Sequence, residues 1–165
     1  MARTVLDTPI GGLGVSADAE GVYDVSFGAA LDEVDVSDEL AAAVAQLREY
    51  FAGERTEFDL PLSVRRGSEF ERAVWAAIAR IPYGETRSYG SIAREVGDLA
   101  RGVDDPTGAR AVGGACNRNP LPIVVPCHRV IGSDGKLVGF GGGLHRKRWL
   151  LSLEARVHIE RSFGG

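Results

Sequence analysis

The sequence predicts an α+β protein in which a small antiparallel sheet comes first and a mainly helical half containing a helix-turn-helix follows. Three observations carry this reading. Residues 3–27 alternate apolar and polar side chains around two turn signals, the composition changes near Val64, and beyond that point helical periodicities follow one another with short connections. With 165 residues, 44% hydrophobic and 25% charged, the chain suits one or two small domains with an adequate core. We place the domains at residues 1–63 and 64–165.

In RTVLDTPIGGLGVSADAEGVYDVSF, the segments IGG and DAEG mark the two turns of a strand meander. Ser37 then opens a helix with Asp38 and Glu39 in its first turn, where carboxylates favour the positive end of the helix dipole. Leu40, Val44, Leu47 and Phe51 form its apolar face, and Gly53 lies just past its end. Phe58 to Leu62 reads as a short strand. In the second half, Ser68 and Glu71 fit a capping box ahead of Phe70, Val74, Trp75 and Ile78, which are core residues at helical spacing. That helix stops before Pro82. SYGSIAREVG reads as a short helix with Ser88 as N-cap and Gly97 closing it, and TGARAVGGACNRN reads as another.

No apolar run approaches the length of a membrane span, and MARTVLDTPIGG lacks a signal peptide's apolar segment, so we expect a cytoplasmic protein. The net charge of −4 hides an asymmetry. Residues 1–63 hold 3 Lys and Arg against 13 Asp and Glu, a charge of −10, whereas residues 64–165 hold 16 against 10, a charge of +6. The basic half suits a polyanion. Within it, Ala111, Gly113, Gly114 and Ala115 leave one helix small-sided, although each interior Gly costs about 1 kcal/mol relative to Ala. Such a face serves either close packing on a neighbouring helix or entry into a DNA groove, with Arg110 as the one long side chain projecting into the duplex.

The stretch LPIVVPCHRV places one of only two cysteines beside a histidine. Two cysteines make no disulfide framework, and Cys116 and Cys127 lack zinc-ligand spacing with the three histidines. A disulfide between them is disfavoured in a reducing compartment. A thiol is a weak nucleophile until it ionises, and a neighbouring base would promote that. Consecutive side chains diverge in a strand and do not face each other on a helix, so Cys127 and His128 need either a turn or a bridging water. On the dipeptide alone, Cys127 is either an activated nucleophile or a buried, inert thiol.

PCHRV, preceded by NPLPIVV and followed by GFGGG and RKRWLLSLE, resembles the O6-alkylguanine-DNA alkyltransferases, the methylated-DNA-protein-cysteine methyltransferases. IPYGETRSYGSIA, ARAVGGACNRNPLPI and YFAGERTEFDLPL extend the resemblance over nearly the whole chain. It implies a ribonuclease-H-like N-terminal domain and a helix-turn-helix C-terminal domain. It also implies that Cys127 accepts the alkyl group from O6 of guanine once and irreversibly, that His128 takes the thiol proton through a water, and that Glu154 holds His128 in its working tautomer. Tyr89 would donate to the departing guanine ring, and Asn119 would brace the turn leading to Cys127. Arg110, Ala111, Gly113, Gly114 and Ala115 would meet the minor groove of double-stranded DNA with little sequence preference while the damaged base is flipped out. Val130, Phe140, Gly141 and Gly142 would line the base pocket, with glycines 141–143 letting a loop close over it.

Three departures from the family pattern stand out. No cysteine or histidine precedes Cys116, so the zinc site of some members is not expected, nor is any other metal or cofactor. Phe140 stands where many members have tyrosine. The connection from Asp98 to Gly108 is longer than the usual turn of about 3 to 4 residues, and we expect this acidic loop to order against a neighbouring copy of the protein on DNA. Two rival classes are a thiol hydrolase using Cys127 and His128 and a helix-turn-helix regulator without chemistry; the small-sided helix, poor in side chains that read base edges, disfavours the regulator.

Overall fold

Strands β1 (Ala2–Thr8), β2 (Gly11–Asp18) and β3 (Gly21–Phe27) form an antiparallel meander in the order β1-β2-β3. The structure is a computed structural model that describes residues 2–30, 38–99, 108–135, 137 and 140–163. It divides the chain into two units, residues 1–65 and 66–165.

In the first unit, the register sets Thr4 opposite Val15, Leu6 opposite Leu13, and Val15 opposite Val25, so alternation places these buried side chains on one face. Helix α1 (Asp38–Phe51) packs against all three strands. Its buried stripe is Leu40, Ala43, Leu47 and Tyr50, whereas Val44 and Phe51 of the expected face are only half-buried. The stripe is rotated because Tyr50 turns inward and its ring packs on those of Phe51 and Phe58, with centroids 5.4 and 5.6 Å away. Ser37, the expected helix opener, lies outside the described residues.

The expected strand from Phe58 to Leu62 reduces to a single bridge between Val22 and Leu62. Two causes are visible. The Gln46 side chain bonds both main-chain groups of Asp59, donating to its carbonyl at 2.9 Å and accepting from its N–H at 2.8 Å, which leaves nothing there for a ladder. Pro61 has no N–H to donate; its carbonyl instead accepts from Val22 N at 3.0 Å.

In the second unit, helices α2 (Glu69–Ala79), α3 (Tyr89–Val96) and α4 (Ala109–Asn117) pack against one another. The capping box forms: Ser68 Oγ accepts from Glu71 N, and Glu71 Oε1 accepts from Ser68 N. Val74, Trp75, Ala77 and Ile78 form the buried face of α2. Its indole at Trp75 donates to Ala115 O at 2.8 Å, tying α2 to α4. Ser88 caps α3 by accepting from Ser91 N, and Gly97, with φ of 67°, closes it. Residues 100–107 of the long connection before α4, and with them most of the loop expected to meet a second copy, lie outside the described residues.

After α4 the chain turns through residues 118–126 into a short 3-10 turn, Cys127–Arg129. Strand β5 (Val130–Ile131) pairs in parallel with β4 (Arg87–Ser88), which immediately precedes α3. Helix α5 (Leu144–Phe163) packs against the 3-10 turn. Thus three segments distant in sequence meet at Cys127. Among the described residues, no helix is long and apolar enough to cross a membrane.

Candidate active site

The approach to Cys127 is a constrained stretch of backbone. Ile123, almost fully buried, has φ of 75°, a conformation that a β-branched residue adopts only at a cost of roughly 1–3 kcal/mol. Asn119 holds this turn from inside. Its Oδ1 accepts from Leu121 N at 2.9 Å, and its Nδ2 donates to Val125 O at 2.9 Å and to Cys127 Sγ at 3.1 Å. One amide therefore fixes both the turn and the thiol.

The 3-10 geometry answers how neighbouring Cys127 and His128 avoid pointing at each other. Cys127 meets Asn119, whereas His128 Nε2 lies 2.6 Å from Glu154 Oε2 on α5. Glu154 is 1% exposed and also accepts from Arg129, from Nε at 2.7 Å and from Nη2 at 3.1 Å. Arg129 is itself buried and sends its other terminal nitrogen to Ile81 O at 2.7 Å. Burial alone would raise the Glu154 carboxyl, but His128 and Arg129 overcome it and hold the carboxyl down to about 2. An ionised carboxylate only accepts hydrogen bonds, so Nε2 of His128 carries the proton and Nδ1 carries the lone pair. That Nδ1 is buried and meets no hydrogen-bond partner among the described residues. Burial pulls the imidazole below its ordinary 6.5 against the pull of Glu154, so His128 rests neutral at pH 7.

Burial also pushes the Cys127 thiol well above its ordinary value, and the Cys116 thiol adds to the rise while Asn119 and Lys147 oppose it. The resting site is thus a thiol and a neutral imidazole. Lys147 is fully buried, and its Nζ donates to Val130 O at 2.6 Å and to Tyr89 Oη at 3.4 Å. Burial draws the ammonium below its usual value; the two cysteines act in the opposite sense. Tyr89 is 8% exposed, and burial raises its phenol, with Cys116 and Cys127 adding to the rise.

The structure brings Cys127, His128, Glu154, Asn119 and Tyr89 together with two residues that the sequence reading passed over, Arg129 and Lys147. Both look like solvated cations in sequence. A signal was available for Lys147: with Leu150, Glu154 and Val157 it lies on the buried stripe of α5, at a spacing that recurs every three to four residues. Val130 is buried beside the site, Phe140 is half-buried, Gly141 is exposed and Gly142 is buried.

On α4, Arg110 is exposed at the first turn, and Ala111, Gly113 and Gly114 are half-buried. A Cβ on Gly113 would lie 3.9 Å from the Tyr89 ring, and one on Gly114 would lie 3.2 Å from the Arg118 guanidinium. Ala115 departs from the expected DNA-facing set. It is 0% exposed, and its carbonyl takes the Trp75 indole, so it packs helix on helix.

Residues 1–64 match the family model described as 6-O-methylguanine DNA methyltransferase, ribonuclease-like domain, and residues 69–156 match the DNA binding domain of the same protein. The chain belongs to the 6-O-methylguanine DNA methyltransferase family. A methylated-DNA–protein-cysteine methyltransferase of Methanosarcina acetivorans is 44% identical over 93% of this chain and 98% of its own length. One from Mycolicibacterium paratuberculosis is 61% identical over 70% of this chain, a match that spans 66% of that relative. The crystal structure of Mycobacterium tuberculosis OGT in complex with DNA superposes with a TM-score of 0.80 at 44% identity, covering 94% of this chain and 93% of that one. As a member of the 6-O-methylguanine DNA methyltransferase family, this chain is a DNA repair methyltransferase that binds DNA and repairs O6-alkylguanine.

The buried carboxylate generates a stability prediction. Glu154→Gln leaves Arg129 buried without its counter-charge, a loss of about 3–5 kcal/mol at neutral pH. A carboxyl depressed from 4.5 to about 2 stabilises the fold fully above 4.5, and that contribution disappears as pH falls toward 2. Denaturant unfolding from neutral to acidic pH should show the wild type losing stability across this window and Glu154→Gln changing less.

Proposed function

We propose that Cys127 is the acceptor and that it is spent in one displacement. The Cys127 sulfur attacks the alkyl carbon, the bond from that carbon to guanine O6 breaks, and its electron pair leaves with the base. The thiol proton passes through a water to Nδ1 of His128, and Glu154 stabilises the imidazolium that results. Tyr89 hands a proton to the departing guanine, with the Lys147 ammonium 3.4 Å from its oxygen to favour the developing phenolate. The product is a thioether, which offers water no easy leaving group, so each chain acts once.

The observation that carries this reading is the division of labour at His128: Nε2 is committed to Glu154, and Nδ1 is buried, carries a lone pair and lacks a partner among the described residues. This is the arrangement of a relay that needs a proton from a thiol. It is also why a buried, high-pKa cysteine serves, since the proton need leave only as the carbon–sulfur bond forms.

A base inside a duplex cannot reach a cysteine that is 2% exposed, so we infer that the nucleotide is flipped into the site, at a cost of a few kcal/mol that is smaller for a poorly paired base. Exposed Arg110 fills the gap left in the stack. The small residues Ala111, Gly113 and Gly114 let α4 approach the minor groove, where sequence readout is degenerate, as repair of a lesion in any context requires. The loop at Phe140, Gly141 and Gly142 covers the base, with Val130 behind it. No cofactor takes part, and the reaction belongs in the cytoplasm, whose reducing conditions keep Cys127 a thiol.

Intact mass after incubation with an alkylated duplex tests the assignment. The wild type should gain one alkyl group and stop there. Cys127→Ser should gain none while binding the duplex as before; transfer to that variant, or continued turnover by the wild type, would contradict the reading.

Arg110 separates flipping from chemistry. Arg110→Ala should slow transfer from duplex DNA far more than from free O6-benzylguanine, which needs no flipping. Equal slowing of both would place Arg110 in support of the pocket instead.

A further inference from the structure

Arg118, the residue that ends α4, takes no part in the chemistry at Cys127. Its Nε donates to Glu71 Oε2 in the first turn of α2, yet the two partners are unequally placed: the guanidinium side chain is 61% exposed and the carboxylate side chain 15%. An ion pair with so exposed a cation adds little to stability, so the fold gives no strong reason for it. The surroundings supply one. Arg110, Gly114 and Arg118 follow one another at four-residue spacing, and Gly114 lacks a side chain where the guanidinium lies, since a Cβ there would be 3.2 Å from Nη1 and 3.4 Å from Nη2 of Arg118. Each step of four residues turns about 40° around a helix, so an α4 that points Arg110 into a duplex carries Arg118 roughly 12 Å further along and about 80° round, on its flank. A helix about 10 Å across is wider than a minor groove of about 6 Å, and phosphates therefore border its flanks. The carboxylate, for its part, can let the cation go. Glu71 Oε1 accepts from Ser68 N at 3.0 Å in the capping box, whereas Oε2 takes Arg118, so the cap of α2 survives when Arg118 leaves.

We propose that Arg118 is a phosphate-binding residue of the DNA interface, held by Glu71 in the free protein and handed to the duplex backbone on binding. This rests on the proposed role of α4 as the helix that meets the groove. A guanidinium grips a phosphate through two parallel N–H donors and releases a condensed counterion, a gain that Glu71 does not match. Arg110 enters the duplex, and Arg118 fixes how α4 lies along it without reading a base.

Binding of the full-length protein to an undamaged duplex is measured across a salt series, beside thermal unfolding. Each phosphate contact contributes about 0.9 to the slope of log affinity against log salt, so Arg118→Ala should bind more weakly and lower the magnitude of that slope by about 0.9. Arg118→Lys keeps the charge and should keep the wild-type slope. Glu71→Gln retains a capping-box acceptor and frees Arg118, so it should bind the duplex about 1.5- to fivefold more tightly. A mere tie between α2 and α4 would be cut by either variant, and Arg118→Ala and Glu71→Gln would then weaken binding and lower the unfolding temperature alike. That outcome overturns the proposal, as does an Arg118→Ala slope equal to that of the wild type. Should Arg118→Ala not fold, the sign of the Glu71→Gln effect decides: tighter binding supports the exchange, and weaker binding overturns it. Arg110→Ala separates the proposal from the role of α4 beneath it. Equal slowing of transfer from duplex and from free O6-benzylguanine would remove that role and the proposal together, whereas the expected difference beside an unchanged Arg118→Ala slope would overturn the proposal alone.

Discussion

The Glu154 carboxylate is the constraint on which the active site depends. It is a buried charge, and such a charge is tolerable only when it is paired and its lone pairs are filled. Arg129 and His128 do both, with one contact from the imidazole and two from the guanidinium. The same three bonds join α5 to the 3-10 turn that carries Cys127, and a fourth, from Arg129 to Ile81 O, ties that turn to the residues just after α2. Structure and chemistry are therefore not separable here. The carboxylate that anchors the turn is also the one that selects the histidine tautomer and leaves the lone pair on Nδ1.

A second constraint works from the opposite side. Asn119 fills the turn between α4 and Cys127 and touches the sulfur itself, while strained Ile123 is held in place by its burial. Lys147 closes the site from α5 by binding the Val130 carbonyl at the start of β5. Asn119 and Lys147 each bond main chain as well as a neighbouring side chain. The backbone around Cys127 is thereby fixed without relying on its own short secondary structure, two residues in β5 and three in the 3-10 turn.

Local signals were legible where local physics decides. The meander followed from alternation and two turn signals, and the capping box of α2 and the Ser88 cap of α3 from residues three apart. Elements decided at a distance were not legible. The segment after Phe58 has strand composition, but Gln46, thirteen residues before Asp59, takes the main-chain groups that a ladder would need. Ala115 looks like part of a bare face until Trp75 is placed on its carbonyl. At the active site, the sequence shows Cys127 and His128 as neighbours and shows nothing of their divergence. Their relation to Glu154, Tyr89 and Asn119 came from family resemblance, because those residues lie as far as 38 positions away and no spacing rule joins them. Arg129 and Lys147 were passed over because basic residues are ordinarily at the surface; only the recurrence of apolar neighbours around Lys147 marks its side of α5 as buried.

The resting pair is a buried thiol and a neutral imidazole, and we propose that the proton moves only with the alkyl group. The most direct test is the pH dependence of the transfer rate from free O6-benzylguanine, which requires neither DNA binding nor base flipping. With the imidazole held below 6.5 and the thiol above 9.0, the rate should be level across neutral pH and fall only below 6.5, as His128 becomes protonated. A rate that instead climbs about tenfold per pH unit through neutrality toward 9 would show a thiol that must ionise unaided, and would contradict the relay.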